Sequence, residues 1–335
     1  RTLTHEAGTE YYLQVFAYTN ENGAILEANF EVAKEEFAFD GNNFFVEKER
    51  KGSIKVNKEE DKLTVSHNKL SYEFSLKDGR SLLSMKNDNR NVFNSLPRLN
   101  FWRALTDNDF GAWAQYSLRL WESAGHNVIY SFKGLDEKNG MASVKYEAKL
   151  RGIEAKVDLV YTVNKDGSLT IDAHYQALSD DLPELLRFGM MMSLPKTKNN
   201  FSWYGRGPWE NYIDRNKDTF MGVWNGLVED QVFAYYRPQE TGNKTDVRWL
   251  TLTDVDGAGV KVEGAQELSV SAINYLPEDL DPGMTKKQQH WSDVSPRNEV
   301  ILSGDLFQAG MAGLNSCGAK PLDEYRFHGK EYKYS

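Results

Sequence analysis

Residues able to act as acids, bases or nucleophiles are plentiful in this sequence, but few stand in a pattern that chemistry demands. The six histidines (His5, His67, His126, His174, His290, His328) are scattered, with no pair at i, i+2 or i, i+4 spacing, so they indicate no metal site. Asp107-Asn108-Asp109-Phe110-Gly111 opens like a calcium loop. An EF-hand needs a glutamate at loop position twelve, and that position is Leu118, so an Asx-rich turn tying backbone amides is the better reading. Gly205-Arg206-Gly207-Pro208-Trp209-Glu210 mimics a dinucleotide fingerprint, but the third glycine is absent and a proline interrupts it. Cys317 is the single cysteine, which excludes an internal disulfide and a cysteine-based zinc site. A nucleophilic thiol needs a basic partner to lower its pKa, and none stands near it in sequence; Ser316 lacks a Gly-x-Ser-x-Gly frame. No catalytic residue and no metal ligand is assigned.

Aromatic residues carry more information. Trp203, Tyr204, Trp209, Tyr212, Trp224, Tyr235, Tyr236 and Trp249 crowd together, interleaved with Arg206, Glu210, Asn211, Asp214, Arg215, Gln239 and Glu240. Flat rings beside planar polar groups suit a sugar, with Trp209 and Trp224 as the candidate contacts. A large β core with amphipathic aromatics at its rim accounts for the same pattern.

The elements that must position these groups are strands. Val144, Tyr146, Ala148 and Leu150 alternate along 142–150, Val157, Leu159, Tyr161 and Val163 along 156–163, and Leu169, Ile171, Ala173, Tyr175 and Ala177 along 169–177. The Asp166-Gly167 pair between the last two suits a tight hairpin. Similar pairs fall at 62–76 and 247–263, and the predicted class is all-β with antiparallel sheets. Only 113–124 suggests a helix, with Trp113, Tyr116, Leu120 and Trp121 as its stripe. Two strand-like runs, Tyr11–Thr19 and Ala24–Val32, precede a charged stretch at 47–60 that reads as a boundary. The 335 residues carry a net charge of −9 with 13% aromatics, which excludes disorder as the main state and a basic nucleic-acid face. No apolar run approaches the length of a membrane span.

Four segments together resemble one family. Pro97–Gly111 (PRLNFWRALTDNDFG) is similar to the motif opening the C-terminal domain of bacterial β-galactosidases of glycoside hydrolase family two. Tyr204–Tyr212 (YGRGPWENY) with Asp214 and Arg215 resembles a second signature. Arg237-Pro238-Gln239-Glu240, through Gly242 and Asn243 to Trp249, resembles a third, and Asp305–Gly318 (DLFQAGMAGLNSCG) with Tyr325 a fourth. The resemblance implies a large antiparallel supersandwich of galactose mutarotase type over 61–335. It implies that residues 1–46 end an immunoglobulin-like sandwich, with 47–60 as linker. It also implies that both catalytic glutamates, and the magnesium and sodium or potassium ions often used by the family, lie in a preceding barrel. This chain is then expected to be a non-catalytic, cofactor-free C-terminal fragment beginning at a cut end. It would complete the active-site rim with Asn315, Ser316 and Cys317, where Cys317 stands at the position of a sugar-stacking tryptophan. The implied partner is a galactoside bound through the barrel, in a bacterial homo-oligomer of cytoplasm or periplasm, with no nucleic acid and no membrane. Two rival readings stay open: an aldose epimerase pairing His174 or His290 with Glu210 or Glu240, and a carbohydrate-binding module.

Overall fold

The structure is a computed structural model describing residues 6–41, 43–46, 49–287, 289–311, 313–315 and 318–335. In chain order the strands begin with β1 (Tyr12–Tyr18), β2 (Glu31–Ala38), β3 (Lys55–Lys58), β4 (Lys62–His67), β5 (Leu70–Ser75), β6 (Leu82–Asn87), β7 (Arg90–Asn91) and β8 (Ser95–Asn100). Short helices α1 (Asp107–Gly111) and α2 (Ala114–Ser117) follow. Then come β9 (Val128–Lys138), β10 (Met141–Leu150), β11 (Ala155–Val163), β12 (Leu169–Ala177), β13 (Arg187–Pro195), β14 (Asn200–Gly207), β15 (Phe220–Leu227), β16 (Lys244–Thr253) and β17 (Gly259–Ile273). The helix α3 (Pro277–Leu280), β18 (Glu299–Gln308) and β19 (Glu331–Tyr334) complete the order.

The fold is all-β, and its pairings are antiparallel. A seven-stranded sheet runs β15-β14-β16-β17-β18-β13-β8, one five-stranded sheet runs β19-β12-β11-β10-β9, another β3 to β7, and β1-β2 is a separate hairpin. Strands β10 and β11 bury Val144, Tyr146, Val157, Leu159 and Tyr161 on a single face, as the alternation predicts. That face covers both other large sheets. Tyr146 donates to Ser75 O at 2.6 Å and Tyr161 packs on Phe74, while Tyr175 meets Phe188 and Phe101 in the seven-stranded sheet.

The central strands of that sheet carry two different buried faces. Phe188, Met190, Met192 and Leu194 of β13, Leu268, Val270 and Ala272 of β17, and Val300 and Leu302 of β18 enter the main core. The intervening residues are equally buried: the polar Arg187, Ser193, Ser269, Ser271, Ser303 and Asp305 stand beside the apolar Met191, Ile273 and Ile301. Loops and short helices cover this second face, where Ala104, Ile273, Tyr275 and Leu280 form a small separate apolar cluster. Period-two alternation therefore divides one set of strands into a core side and a site side.

Two sequence expectations shift in register. The second early strand is Glu31–Ala38, not 24–32. Residues 20–30 are turns, in which Asn22 caps Ala28 N and Asn29 takes a φ of 68°, so local Asn chemistry overrides the apolar run. The helical reading of 113–124 holds only in part: Ala114–Ser117 and Arg119–Trp121 are short helical turns with Trp121 buried, but Trp113 adopts a φ of 62°, which splits α1 from α2 and leaves Trp113 and Tyr116 exposed. Residues 55–58, inside the charged stretch, pair with β4.

The β1–β2 hairpin docks on the edge of the seven-stranded sheet through polar contacts. Glu36 accepts from Met221 N at 2.9 Å, Gln14 donates to Met221 O, and Phe16 meets Phe220. Glu10 receives Arg248 Nη2 at 2.7 Å and Tyr204 OH at 2.7 Å. Burial alone would raise the Glu10 pKa, but the hydrogen bonds and charge of Arg248 and Tyr204's hydroxyl hold it below its ordinary value. Breaking such a buried pair from one side costs about 3–5 kcal/mol. Arg248→Ala is therefore expected to speed amide exchange across 12–38 while leaving 141–163 protected. Unchanged exchange in the hairpin would mean that its apolar contacts hold it instead.

Candidate functional site

The polar face of the central strands carries a buried charge cluster. Arg103 donates to Asp109 through Nη1 at 2.7 Å and Nη2 at 3.0 Å, and also reaches Gly310 O at 3.3 Å. Arg187 Nε lies 2.8 Å from Asp305 Oδ2, both side chains being buried. Gly189 opposes Asp305 at a β-bulge, where a Cβ would stand 2.3 Å from the Asp305 Cα, so that strand crossing tolerates only glycine. Glu240 is buried beside both guanidiniums. Two cations thus face three carboxylates. Burial pushes the Asp305 carboxyl up to about 7, against Arg187 and with help from the Glu240 charge. Burial also raises Glu240, although Arg187, Arg103 and a hydrogen bond with Gln308 pull it down. The cluster therefore retains a proton towards neutrality.

Around it the signature segments are knotted by side-chain amides and one carboxylate. Asn211 Oδ1 accepts from Thr245 N at 2.8 Å, and Asn211 N donates to Asn243 O at 2.8 Å. Glu210 accepts from Arg215 Nη2 at 2.9 Å, Thr241 Oγ1 at 2.9 Å, Gly242 N at 2.7 Å and the hydroxyl of Tyr235. Thr106 and Asp109 form a reciprocal cap that fixes α1, with Asp109 N to Thr106 Oγ1 at 3.2 Å and Thr106 N to Asp109 Oδ2 at 2.8 Å. This is the Asx-rich turn anticipated at 107–109, now with a buried arginine behind it.

All four signatures meet at one cleft of about 270 Å³, lined by Thr106, Asp107, Asn108, Arg215, Tyr235, Gln239, Glu240 and Met311. The chain leaving β18 forms its wall. Asp214 accepts from Met311 N at 2.8 Å, Asn108 Nδ2 donates to Met311 O at 2.9 Å, and Gly310 N donates to Tyr325 O. Beyond it Gly318, at a φ of 93°, presses on α1 so closely that a Cβ would lie 2.1 Å from Gly111 O. Of the three rim residues expected from sequence, Asn315 is exposed beside this wall and its Oδ1 accepts from Ala319 N at 3.4 Å; Ser316 and Cys317 lie outside the described residues.

The aromatic crowd does not form one platform. Trp203 and Tyr212 are buried in the interior. Trp224 donates to Gly205 O at 3.1 Å, and its ring fills the space over Gly207 and Gly222. Trp209 is exposed, Tyr236 is exposed against His290, and only Tyr235 of the group lines the cleft. His174 sits on β12, 3.4 Å from Glu331, and neither it nor His290 lines the cleft. Among the described residues no group of three or more His, Cys, Asp or Glu could hold a metal, and no helix is long and apolar enough to cross a membrane. Sequence reasoning gave no role to Arg103, Arg187 or Asp305. The signal available was a charge inside each of three otherwise apolar strand-like runs.

The family profile described as "Beta galactosidase small chain" matches residues 66–335. This chain belongs to that family. It is 29% identical over 320 residues to a beta-galactosidase of Priestia megaterium, covering 95% of this chain and 30% of that protein. It is 31% identical over 244 residues to a beta-galactosidase of Lactobacillus delbrueckii subsp. bulgaricus, covering 72% of this chain and 23% of that one. A Halalkalibacterium halodurans beta-galactosidase matches at 29% over 327 residues, 96% of this chain and 31% of its own length. The chain thus spans about a third or less of the curated relatives it matches.

The shared proton of this small-chain domain is testable. The folded state keeps a proton that the unfolded chain releases near pH 4, so this contribution to stability is lost as pH rises from about 4 to about 7. Glu240→Gln leaves two cations against two carboxylates. Its melting temperature relative to the parent is expected to be higher by about 3 °C at pH 8, with the advantage shrinking towards pH 5. An offset independent of pH would show that the cluster holds no shared proton.

Proposed function

We propose that this chain is the C-terminal part of a β-galactosidase-like glycoside hydrolase of family two and is itself non-catalytic, completing the rim of an active site carried by a preceding barrel. The observation that carries this reading is the convergence of the four signatures on one cleft, with Gly310, Met311 and Gly318 of its wall held against Arg103, Asp214, Asn108 and Gly111. Such tethering suits a loop that must meet another domain in one position. Cutting a glycosidic bond with retention needs two carboxyl groups about 5–5.5 Å apart with a sugar between them. The carboxylates at this cleft are otherwise engaged: Glu210 by four donors, Asp109 by Arg103, Asp107 by Arg237 and Lys286, and Glu240 by burial beside arginines. Asn315, Ser316 and Cys317 are assigned to the rim, with a galactoside as the shared ligand of rim and barrel.

The β1–β2 hairpin fits the same reading as the last strands of a neighbouring immunoglobulin-like domain, with 61–335 as the supersandwich. Its inner face meets the sandwich through Gln14, Phe16, Lys34 and Glu36. Leu13, Val15 and Phe37 alternate onto the outer face and stay exposed.

The decisive measurement follows lactose and freshly dissolved α-galactose by proton NMR with this chain alone and with the longer polypeptide containing it. The longer polypeptide is expected to hydrolyse lactose, and the chain alone to change neither sugar faster than buffer. Lactose cleavage by the chain alone would place catalytic carboxylates within it. Accelerated anomer exchange alone would favour the epimerase. In the longer polypeptide, Asp214→Ala, which removes the acceptor of Met311 N, is expected to lower kcat/KM for lactose about tenfold by loosening the Met311 wall, with the melting temperature lowered by no more than a few degrees.

A further inference from the structure

A second cavity, of about 10 Å³, shares one wall residue with the cleft: Glu240 lines both. Its polar lining is Arg187, Glu240, Ser271 and Ser303, and apolar residues including Ile273 and Ile301 close the rest. The sheet builds this lining. Ser271 of β17 stands opposite Ser303 of β18, and the next pair on the same face is Ile273 with Ile301. In the other direction the pair is Ser269 with Asp305, where Ser269 Oγ is committed to Asn243 Oδ1 at 2.9 Å. The cavity therefore lies where the site side of the strands changes from polar to apolar.

Arg187 enters from β13. Its Nε lies 2.8 Å from Asp305 Oδ2, but its Nη2 is buried and meets no hydrogen-bond acceptor among the described residues. Ser271, Ser303 and Glu240 are each more than nine-tenths buried. A guanidinium N–H left bare in an interior bears the full cost of its desolvation. Native interiors remove that cost with an ordered water wherever a cavity has room and two to four polar partners.

Charge decides among the guests that would fit. Two guanidiniums already face three carboxylates in this cluster. An anion would deepen the negative excess, and a metal cation would stand against Arg187. A neutral molecule disturbs neither balance, and the space admits one of water's size. We propose that this cavity binds a single water molecule that accepts from Arg187 Nη2 and donates to the Glu240 carboxyl, with the Ser271 and Ser303 hydroxyls as its remaining partners. Held in this way, the water ties β13, β17 and β18 to the third signature. It steadies Glu240 from the cavity side, whatever ligand the cleft takes.

Methyl NMR on the 335-residue chain tests this, because Ile273 and Ile301 line the cavity. Their labelled methyl groups are expected to show cross-relaxation with water, carrying the sign of a bound molecule. Serine hydroxyls that exchange with solvent imitate such a signal, so the chain carrying both Ser271→Ala and Ser303→Ala is the control. Cross-peaks from a water on Arg187 and Glu240 are expected to persist there, and their disappearance would assign them to the hydroxyls and overturn the proposal. Ser271→Val, which puts methyl groups into the cavity, is expected to abolish them. Crystals of the parent chain, grown with bromide and separately held under xenon, give a reading that needs no variant. One water-sized peak within about 3 Å of Arg187 Nη2 and of Glu240 is expected, with no anomalous signal. Bromide at that place would make it an anion site, xenon would make it a dry cavity, and a metal ion or no density at all would equally overturn the bound water.

Discussion

The architecture around the cleft depends on how two buried guanidiniums are neutralised. Arg103 and Arg187 are both inaccessible to water, and an unpaired buried charge would cost several kcal/mol. Each must find an anion, and the anions come from separate parts of the chain: Asp109 from the cap of α1, Asp305 from β18, and Glu240 from the loop before β16. Satisfying the charges therefore draws the first, third and fourth signatures together, and Asn211 and Glu210 tie the second to the third. The sheet supplies the remaining constraint, because the bulge at Gly189 brings β13 against Asp305 more closely than any side chain at that position would permit.

This arrangement separates two tasks that a β sandwich usually combines. The core side of β13, β17 and β18 is Phe, Met, Leu and Val, and it stabilises the fold by removing apolar area from water. The other side carries serine, arginine and aspartate beside Met191, Ile273 and Ile301, and its polar groups add little burial energy and much orientation. Loops lying on an apolar face could slide with small loss. Loops tied by Arg103 to Gly310 O, Asp214 to Met311 N and Asn211 to Thr245 N cannot without leaving buried polar groups unpaired. Position at the cleft is thus set by hydrogen-bond geometry, and stability by the opposite face.

Legibility in the sequence follows the same division. The strands 141–150, 155–163 and 169–177 could be read from alternation because one face is apolar and the other wet. Strands β13 and β18 are buried on both faces, so apolar runs such as Met190–Met192 and Val300–Leu302 hide the alternation, and Arg187 or Asp305 reads as an interruption. The aromatic crowd at 203–249 stayed ambiguous for a related reason: Trp203 and Trp224 pack against strand interiors and glycine backbones, which composition does not separate from a sugar platform. The clearest inversion is at Trp113 and Tyr116. Their spacing with Leu120 and Trp121 suggested one buried stripe, yet a left-handed residue at 113 turns these two rings outward, while Trp121 stays buried with Ala114 and Leu118.

That exposure shows how outward side chains can vary on a segment whose ends are fixed. The core anchors of the segment, Asp109 and Trp121, fix its ends independently of what lies between them. The exposed rings between these anchors can therefore vary with little effect on the cluster, the sheet or the cap. The neighbouring wall at Gly310 and Met311 is fixed in the same way by Arg103, Asp214 and Asn108, with Gly318 against Gly111. Two segments are thus each anchored at the base while Trp113, Tyr116 and Asn315 stay exposed. The buried charges hold the backbone in place whichever side chains face outward.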